Sequence, residues 1–176
     1  MFIDLSKAFD TINHSILLQK LRHYGIRGVT LDWFASYLSN RKQFVSINNE
    51  NSDYNTINCG VPQGSILGPV LFLLYINDIV ECSKLLYFLL FADDTNLFYS
   101  CDKLDKLITT VNRELMNLAT WFRANKLSLN VDKTNFMIFG HKKIPQGCPP
   151  FSIDGSIIKG VDSTKFLGVL IDAKCT

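Results

Sequence analysis

Little in this chain points to a metal knuckle, a disulfide scaffold or a membrane. Its five cysteines stand at 59, 82, 101, 148 and 175, with no C-x-x-C pair, and its three histidines, His14, His23 and His141, are scattered. That spacing supports neither a zinc site nor a disulfide framework. A reducing intracellular compartment, cytoplasm and/or nucleus, is therefore the expectation. Long apolar runs are missing too. Ile66–Ile76, which contains a Gly-Pro, and Leu85–Ala92 are the longest, and both fall short of the roughly 20 residues that span a bilayer. No membrane association is expected. The opening MFIDLSKAFD has no basic segment followed by an apolar one, so it does not read as a signal peptide; it reads as a chain entered in mid-strand. Charge of one sign is also lacking: 18 Lys+Arg against 16 Asp+Glu leave a net charge of +2. Bulk charge cannot drive nucleic-acid binding here, and any such affinity needs a local patch. No repeat of fixed period and no low-complexity run is visible.

What is present is a core. At 176 residues, 47% hydrophobic and 19% charged, the chain suits one folded domain with little left over. Met1–Leu5 reads as a short strand ending on a carboxylate. Asp10–Tyr24 carries apolar residues near one helical face and stops at Gly25, and Thr30–Leu38 repeats the pattern. Gln43–Ile47 and Tyr54–Cys59 suggest a hairpin across a polar turn. Ser65–Ile79 reads as an apolar helix, and Leu85–Tyr99 as a buried hairpin with charge at its tip. Asp102 is a candidate N-cap for a long amphipathic helix to about Ala124. Asn135–Phe139 reads as a strand and residues 142–150, rich in proline, as a connector. Short strands close the chain, Phe166–Ile171 the clearest. The order implies an α+β fold, an antiparallel sheet with helices packed on one face.

Two places put Asp among apolar strand residues: Asp4 in FIDLSKAF and Asp93–Asp94 in LLFADDTNLF. Carboxylates in such runs are costly unless paired or bound to a cation, and adjacent ones raise each other's pKa. Magnesium fits, because it takes hard oxygen ligands and pairs one or two carboxylates with substrate phosphates. If the two segments adjoin, the carboxylates could hold two ions about 3.5–4 Å apart, the arrangement of in-line nucleotidyl transfer. Asp-Asp-Thr is equally ordinary turn chemistry, and Asp4 alone equally a strand-end residue. Between a strand and a helix lies Gly60-Val61-Pro62-Gln63-Gly64-Ser65. Its glycines permit close approach of a ligand, and Gln63 offers donor and acceptor without charge. A plain turn with Ser65 as N-cap is the other reading.

Taken in order, these segments resemble the palm of a reverse transcriptase, most closely that of the non-LTR (LINE-type) retrotransposons of the Jockey group. FIDLSKAFD resembles motif A, GVPQGSILGPVLF motif B, FADDTNLF motif C, TWFRANKLSLNVDKTNFMIFG motif D and TKFLGVLID motif E. Five motifs in order over nearly the whole chain are far more specific than any one. The resemblance implies a ferredoxin/RRM-like palm core, with motifs A–D in residues 1–140 and the connector plus motif E hairpin in 141–176. It implies that Asp4 and Asp93 hold two Mg2+ ions, which Mn2+ can replace, with Asp94 as the second Asp of motif C and the Leu5 carbonyl as a further ligand. Backbone amides at Lys7 and Ala8 would meet the triphosphate. Phe9 would close on the sugar's 2′ carbon and favour dNTPs over NTPs, although a core role explains a Phe there as well. Gln63 and Gly64 would contact the incoming nucleotide and template. Lys133 would protonate the leaving pyrophosphate, a solvated turn lysine being the alternative. Phe166, Leu167 and Gly168 would grip the primer end, an edge hairpin being the alternative.

The implied partners are an RNA template, a DNA primer and dNTPs, with fingers and thumb supplied by a longer parent polyprotein and an endonuclease region as a candidate companion. Fingers and thumb are expected to be truncated here, so the isolated chain is expected to polymerise poorly. Three rivals remain open at this level. One is a catalytically inactive palm remnant acting at most as a nucleic-acid or protein binding module. Another is a different two-metal palm enzyme, an RNA-templated RNA polymerase or a nucleotide cyclase. The last is a ferredoxin-like sheet reading single strands with exposed aromatics.

Overall fold

A computed structural model describes residues 1–140 and 148–174; most of the connector expected at 142–150, with His141 and Cys175, lies outside the described residues. In chain order the elements are β1 (Phe2–Ile3), α1 (His14–His23), α2 (Val29–Leu38), β2 (Lys42–Gln43), β3 (Ser46–Ile47), β4 (Glu50–Asn51), β5 (Asn55–Thr56) and α3 (Leu67–Ile76). A 3-10 stretch (Asn77–Cys82) leads to β6 (Tyr87–Phe91), β7 (Asp94–Phe98) and α4 (Leu104–Ala124). The remaining strands are β8 (Asn135–Phe136), β9 (Ser152–Ile153), β10 (Ser156–Ile157), β11 (Lys159–Gly160), β12 (Ser163–Phe166) and β13 (Val169–Asp172). Helix and largely antiparallel sheet together make the chain α+β, in two compact units: residues 1–6 with 79–176, and residues 7–78.

The 7–78 unit is built on three helices. α1 starts at His14 rather than Asp10, because the Asn13 side chain accepts from the Ile16 N–H (3.1 Å) and so caps the first turn. Residues before it are folded into a turn in which the Lys7 carbonyl accepts from the Asp10 and Thr11 amides. Leu17 and Leu21 bury one face of α1 against α2, through Leu31 and Leu38, and against α3. Lys20, half-buried, donates to the Tyr75 carbonyl (2.5 Å) and to Asp78 (2.6 Å), clasping α1 to the end of α3. The expected hairpin is two-tiered. β2 pairs with β5, β3 pairs with β4, and Asn48–Asn49 make the inner turn with φ of 51° and 67°. Positive φ at both turn residues is the I′ geometry that matches strand twist, and Asn tolerates it.

The other unit is organised round a five-stranded sheet in the order β11-β8-β1-β7-β6. β1 sits at its centre, antiparallel to both β7 and β8. One pair, β11–β8, is parallel, which corrects the purely antiparallel expectation. The long connection between these strands allows the crossover that a parallel pair requires. α4 turns Ile108, Leu115, Leu118, Ala119 and Phe122 inward at helical spacing. Its N-cap is Lys103, with no side-chain cap bond, and not Asp102. Phe166–Ile171 is likewise not one strand but the turn and inner rungs of the β12–β13 hairpin. Apolar alternation cannot distinguish a strand from a tight hairpin when the turn residues are themselves apolar, as Leu167 is. The expectation of helices on one face applies within this unit to α4 alone among the described residues.

Glu114 is buried in α4 (5% exposed). Burial raises its pKa, but hydrogen bonds from Ser83, Arg113 and Asn117 and the Arg113 charge outweigh it and leave the carboxyl below its ordinary 4.5. As pH falls, the unfolded chain therefore binds the proton first. The stabilisation is complete above about pH 4.5 and is lost as pH drops through the folded-state pKa. Glu114→Gln is expected to cost about 1–2 kcal/mol at neutral pH and to remove this part of the acid sensitivity. Urea unfolding at pH 7 and pH 3.5 would show both.

Candidate active site

The sheet register decides where the carboxylates stand. Phe2 pairs with Asn96 and Ile3 with Thr95; one residue further, Asp4 comes opposite Asp94. The backbone of Asp4 is held from the other side. Its N–H donates to the Thr134 hydroxyl (3.1 Å) and its carbonyl accepts from the Asn130 amide (2.9 Å). Leu5 bridges to Leu129 and the Ser6 amide donates to the Ser128 carbonyl (2.8 Å). The strand carrying Asp4 thus runs between the Asp93–Asp94 hairpin and the 128–135 segment. In the β6–β7 hairpin Phe91 pairs with Asp94, so Ala92–Asp93 are the whole turn. Ala92 takes the left-handed conformation this turn demands, φ 51°.

A pocket of about 170 Å3 gathers Asp4, Asp94, Lys133, Lys165, Phe166 and Leu167, with Asn96 and Asn135 on its wall. Four of the five motif-like segments, those with residues in this unit, therefore converge on one small polar cavity. The Phe166 ring meets Phe2 edge-on, centroids 6.0 Å apart, which fastens the β12–β13 hairpin to the central strand. The Leu167–Gly168 turn has φ of 47° and 89°; Leu167 lines the pocket and Gly168 does not. Asp93 lies in the hairpin turn and also does not line it. Burial, then the charge of Asp93, then that of Asp4, push the Asp94 carboxyl above the usual range. Asp93 and Asp4 are thus both within electrostatic reach of Asp94. Lys133 is exposed at the pocket rim, and its carbonyl accepts from Asn135 (3.1 Å).

Sequence reasoning missed Asn96, Asn135, Thr134 and Lys165. Strand alternation could have found Asn96, since residues i and i+2 share a face and it follows Asp94. Thr134 and Asn135 carried no signal, because the pairing of their segment with β1 is a tertiary event.

The remaining candidates belong to the 7–78 unit. Lys7 is exposed with φ 50°, and Ala8 is buried. Phe9 is half-buried and packs on Phe72, ring centroids 4.6 Å apart, so it does serve the core while keeping some exposed surface. The segment 9–13 is laced to 59–61. The Val61 amide donates to the Phe9 carbonyl (2.9 Å) and the Gly60 amide to the Ile12 carbonyl (2.7 Å), and Asn13 bridges Cys59. Gln63 is exposed, and its Nε2 donates to Asp10 (2.8 Å). Gly64 has φ 82° with open space around it. Ser65 accepts from the Gly68 amide (2.9 Å) at the start of α3.

The donor set of the pocket, two carboxylates and two side-chain amides, is compatible with hard oxygen coordination and therefore with magnesium. Among the described residues no three His, Cys, Asp or Glu side chains group closely enough to hold an ion alone. Ligation here would be completed by substrate phosphates, as magnesium sites usually are. No helix among the described residues is long and apolar enough to cross a membrane.

Comparison with known proteins follows the same direction. The family model described as "Reverse transcriptase (RNA-dependent DNA polymerase)" matches residues 1–171. The chain is 28% identical over 190 residues to a probable RNA-directed DNA polymerase from transposon BS of Drosophila melanogaster, covering 100% of this chain and 20% of that protein. It is 26% identical over 182 residues to the RNA-directed DNA polymerase from mobile element jockey of the same organism, covering 99% and 20%. It is 27% identical over 187 residues to the Retrovirus-related Pol polyprotein from type-1 retrotransposable element R2 of Popillia japonica, covering 95% and 30%. The chain spans about a fifth of the length of the first two relatives and under a third of the last.

Proposed function

Because this chain belongs to the reverse transcriptase (RNA-dependent DNA polymerase) family, we propose that it provides the palm of an RNA-directed DNA polymerase from a non-LTR retrotransposon. The observation that carries the reading is the shared pocket of Asp4 and Asp94, flanked by Lys133. In this reading residues 1–140 form the palm with motifs A–D, and 141–176 the connector and primer-gripping hairpin of a ferredoxin-like core. Asp4, Asp93 and Asp94, with the Leu5 carbonyl, hold two divalent ions, Mg2+ or Mn2+. When bound, these ions acidify the primer 3′-hydroxyl and neutralise charge on the triphosphate and departing pyrophosphate. The chain's own residues position and protonate. Backbone amides at Lys7 and Ala8 meet phosphate oxygens. Phe9 excludes a 2′-hydroxyl, and Gln63 and Gly64 meet the nucleotide and template. Lys133 supplies a proton to the leaving group, and Phe166, Leu167 and Gly168 hold the primer end. RNA template, DNA primer and dNTPs are the partners, encountered in cytoplasm and/or nucleus.

Phe9→Val offers a test with a specific signature. In a parent chain that carries fingers and thumb, primer extension on an RNA template should require magnesium and prefer dNTPs. Phe9→Val should narrow the dNTP-over-NTP preference by about tenfold or more, because a steric gate discriminates by contact with one hydroxyl. Extension without divalent metal, or an unchanged sugar preference in the variant, would count against the reading.

A further inference from the structure

Asp10 has no part in the scheme above, yet among the described residues it is the side chain that hydrogen-bonds and orients Gln63. A carboxylate only accepts, so the amide must turn its Nε2 to Asp10 (2.8 Å), which leaves Oε1 on the far side. The backbones beneath the two side chains are already joined, which leaves only side-chain rotamers to be ordered. Val61 donates to Phe9 and Gly60 to Ile12, and the His14 ring Nε2 lies 2.7 Å from the Gly60 carbonyl. Gly60 lies against the Asp10 backbone so closely that a Cβ there would fall 2.7 Å from the Asp10 carbonyl oxygen. A flexible, exposed glutamine would otherwise flip its amide freely and present donor and acceptor by turns.

We propose that Asp10 is a positioning residue: its carboxylate locks the Gln63 amide so that the 60–64 loop presents a fixed acceptor oxygen to a hydroxyl or N–H donor of the incoming deoxynucleoside triphosphate. The inference rests on the polymerase reading for its ligand, but the Asp10–Gln63 lock itself does not. It is tested on the full 176-residue chain, 15N-labelled, with the Gln63 side-chain amide identified by its loss in Gln63→Met. Asp10→Ala should move that resonance to the position of a free glutamine before any nucleotide is added. With dGTP and magnesium as the probe, Asp10→Ala should bind about 5- to 10-fold more weakly, the size of one charge-assisted hydrogen bond. Asp10→Asn, whose Oδ1 still accepts, should remain within about 2- to 3-fold of the unsubstituted chain. Both variants should melt at an unchanged temperature, since the Asp10 side chain is exposed. An unmoved Gln63 resonance in Asp10→Ala, undiminished dGTP affinity, or equal losses in the Ala and Asn variants would overturn the proposal. If dGTP and magnesium perturb neither Gln63 nor the residues round Asp94 in the unsubstituted chain, the polymerase reading itself fails, and the nucleotide-facing role falls with it while the lock is still seen.

Discussion

Asp4→Ala and Asp93→Ala, each introduced into a parent chain that extends primers, should lower dNTP incorporation by about a thousandfold or more, with primer–template binding retained. The loss should be large because the proposed reaction involves little covalent work by the protein, so charge neutralisation at the phosphates supplies most of the rate. Folding should survive both changes. Asp4 is tied into the sheet by its backbone, to Thr134 and Asn130, and these bonds do not depend on its side chain. Asp93 occupies an exposed hairpin turn. Single-nucleotide incorporation on an RNA template, alongside primer–template binding by anisotropy, separates the two properties. Incorporation by either variant at the level of the unsubstituted enzyme would refute the metal assignment. Because Asp94 lines the pocket with Asp4 and Asp93 does not, Asp94→Ala is an informative companion: equal losses at both positions mean that both carboxylates act.

Gly60→Ala should be strongly damaging to the 7–78 unit, costing about 3–5 kcal/mol. Two penalties add. Gly60 has φ +81°, a conformation unfavourable for L-residues, and an added Cβ would lie 2.7 Å and 2.9 Å from the Asp10 carbonyl oxygen and Cα. These are backbone atoms, themselves held by the ladder between 9–13 and 59–61, so neither partner can yield. Gly64→Ala is the matched control. Its φ is +82° but nothing lies within 4 Å, so the conformational term of about 1–2 kcal/mol stands alone. Against total stabilities of about 5–15 kcal/mol, the first loss is enough to shift urea unfolding strongly and the second is modest. Equal effects of the two substitutions would show that the close approach to Asp10 does not exist in solution.

The helices were legible because burial imposes a period of 3.6 residues on α1, α2 and α4; the Leu85–Tyr99 hairpin was legible as two apolar runs about a charged tip, although neither β6 nor β7 alternates in burial. Boundaries were less so. α1 begins four residues past its expected start at Asp10 once the Asn13 side chain caps it, and α4 begins at Leu104 with no side-chain cap at all. Residue pattern alone read Phe166–Ile171 as one strand because a leucine occupies a left-handed turn position, and only the resemblance supplied a hairpin there, which the β12–β13 pairing matches. The parallel β8–β11 pair could not be read locally, since it joins segments separated by a long crossover.

By itself the sequence determined which chemistry was on offer. Asp4, Asp93–Asp94 and the Gly60–Gly64 loop could be picked out because acids and glycines stand where packing alone would not put them, whereas Lys133 and the Phe166–Gly168 segment came only with the resemblance to a reverse transcriptase palm. Which of these meet was decided by tertiary structure. The register of β1 on β7 set Asp4 opposite Asp94 rather than Asp93, and a one-residue slip would have turned every side chain to the other face. The folding of the motif D segment against β1 brought in Thr134 and Asn135, and the Phe2–Phe166 contact brought in Lys165. These are long-range pairings whose free energy comes from surfaces formed only when distant strands assemble, so no local pattern in the chain could announce them.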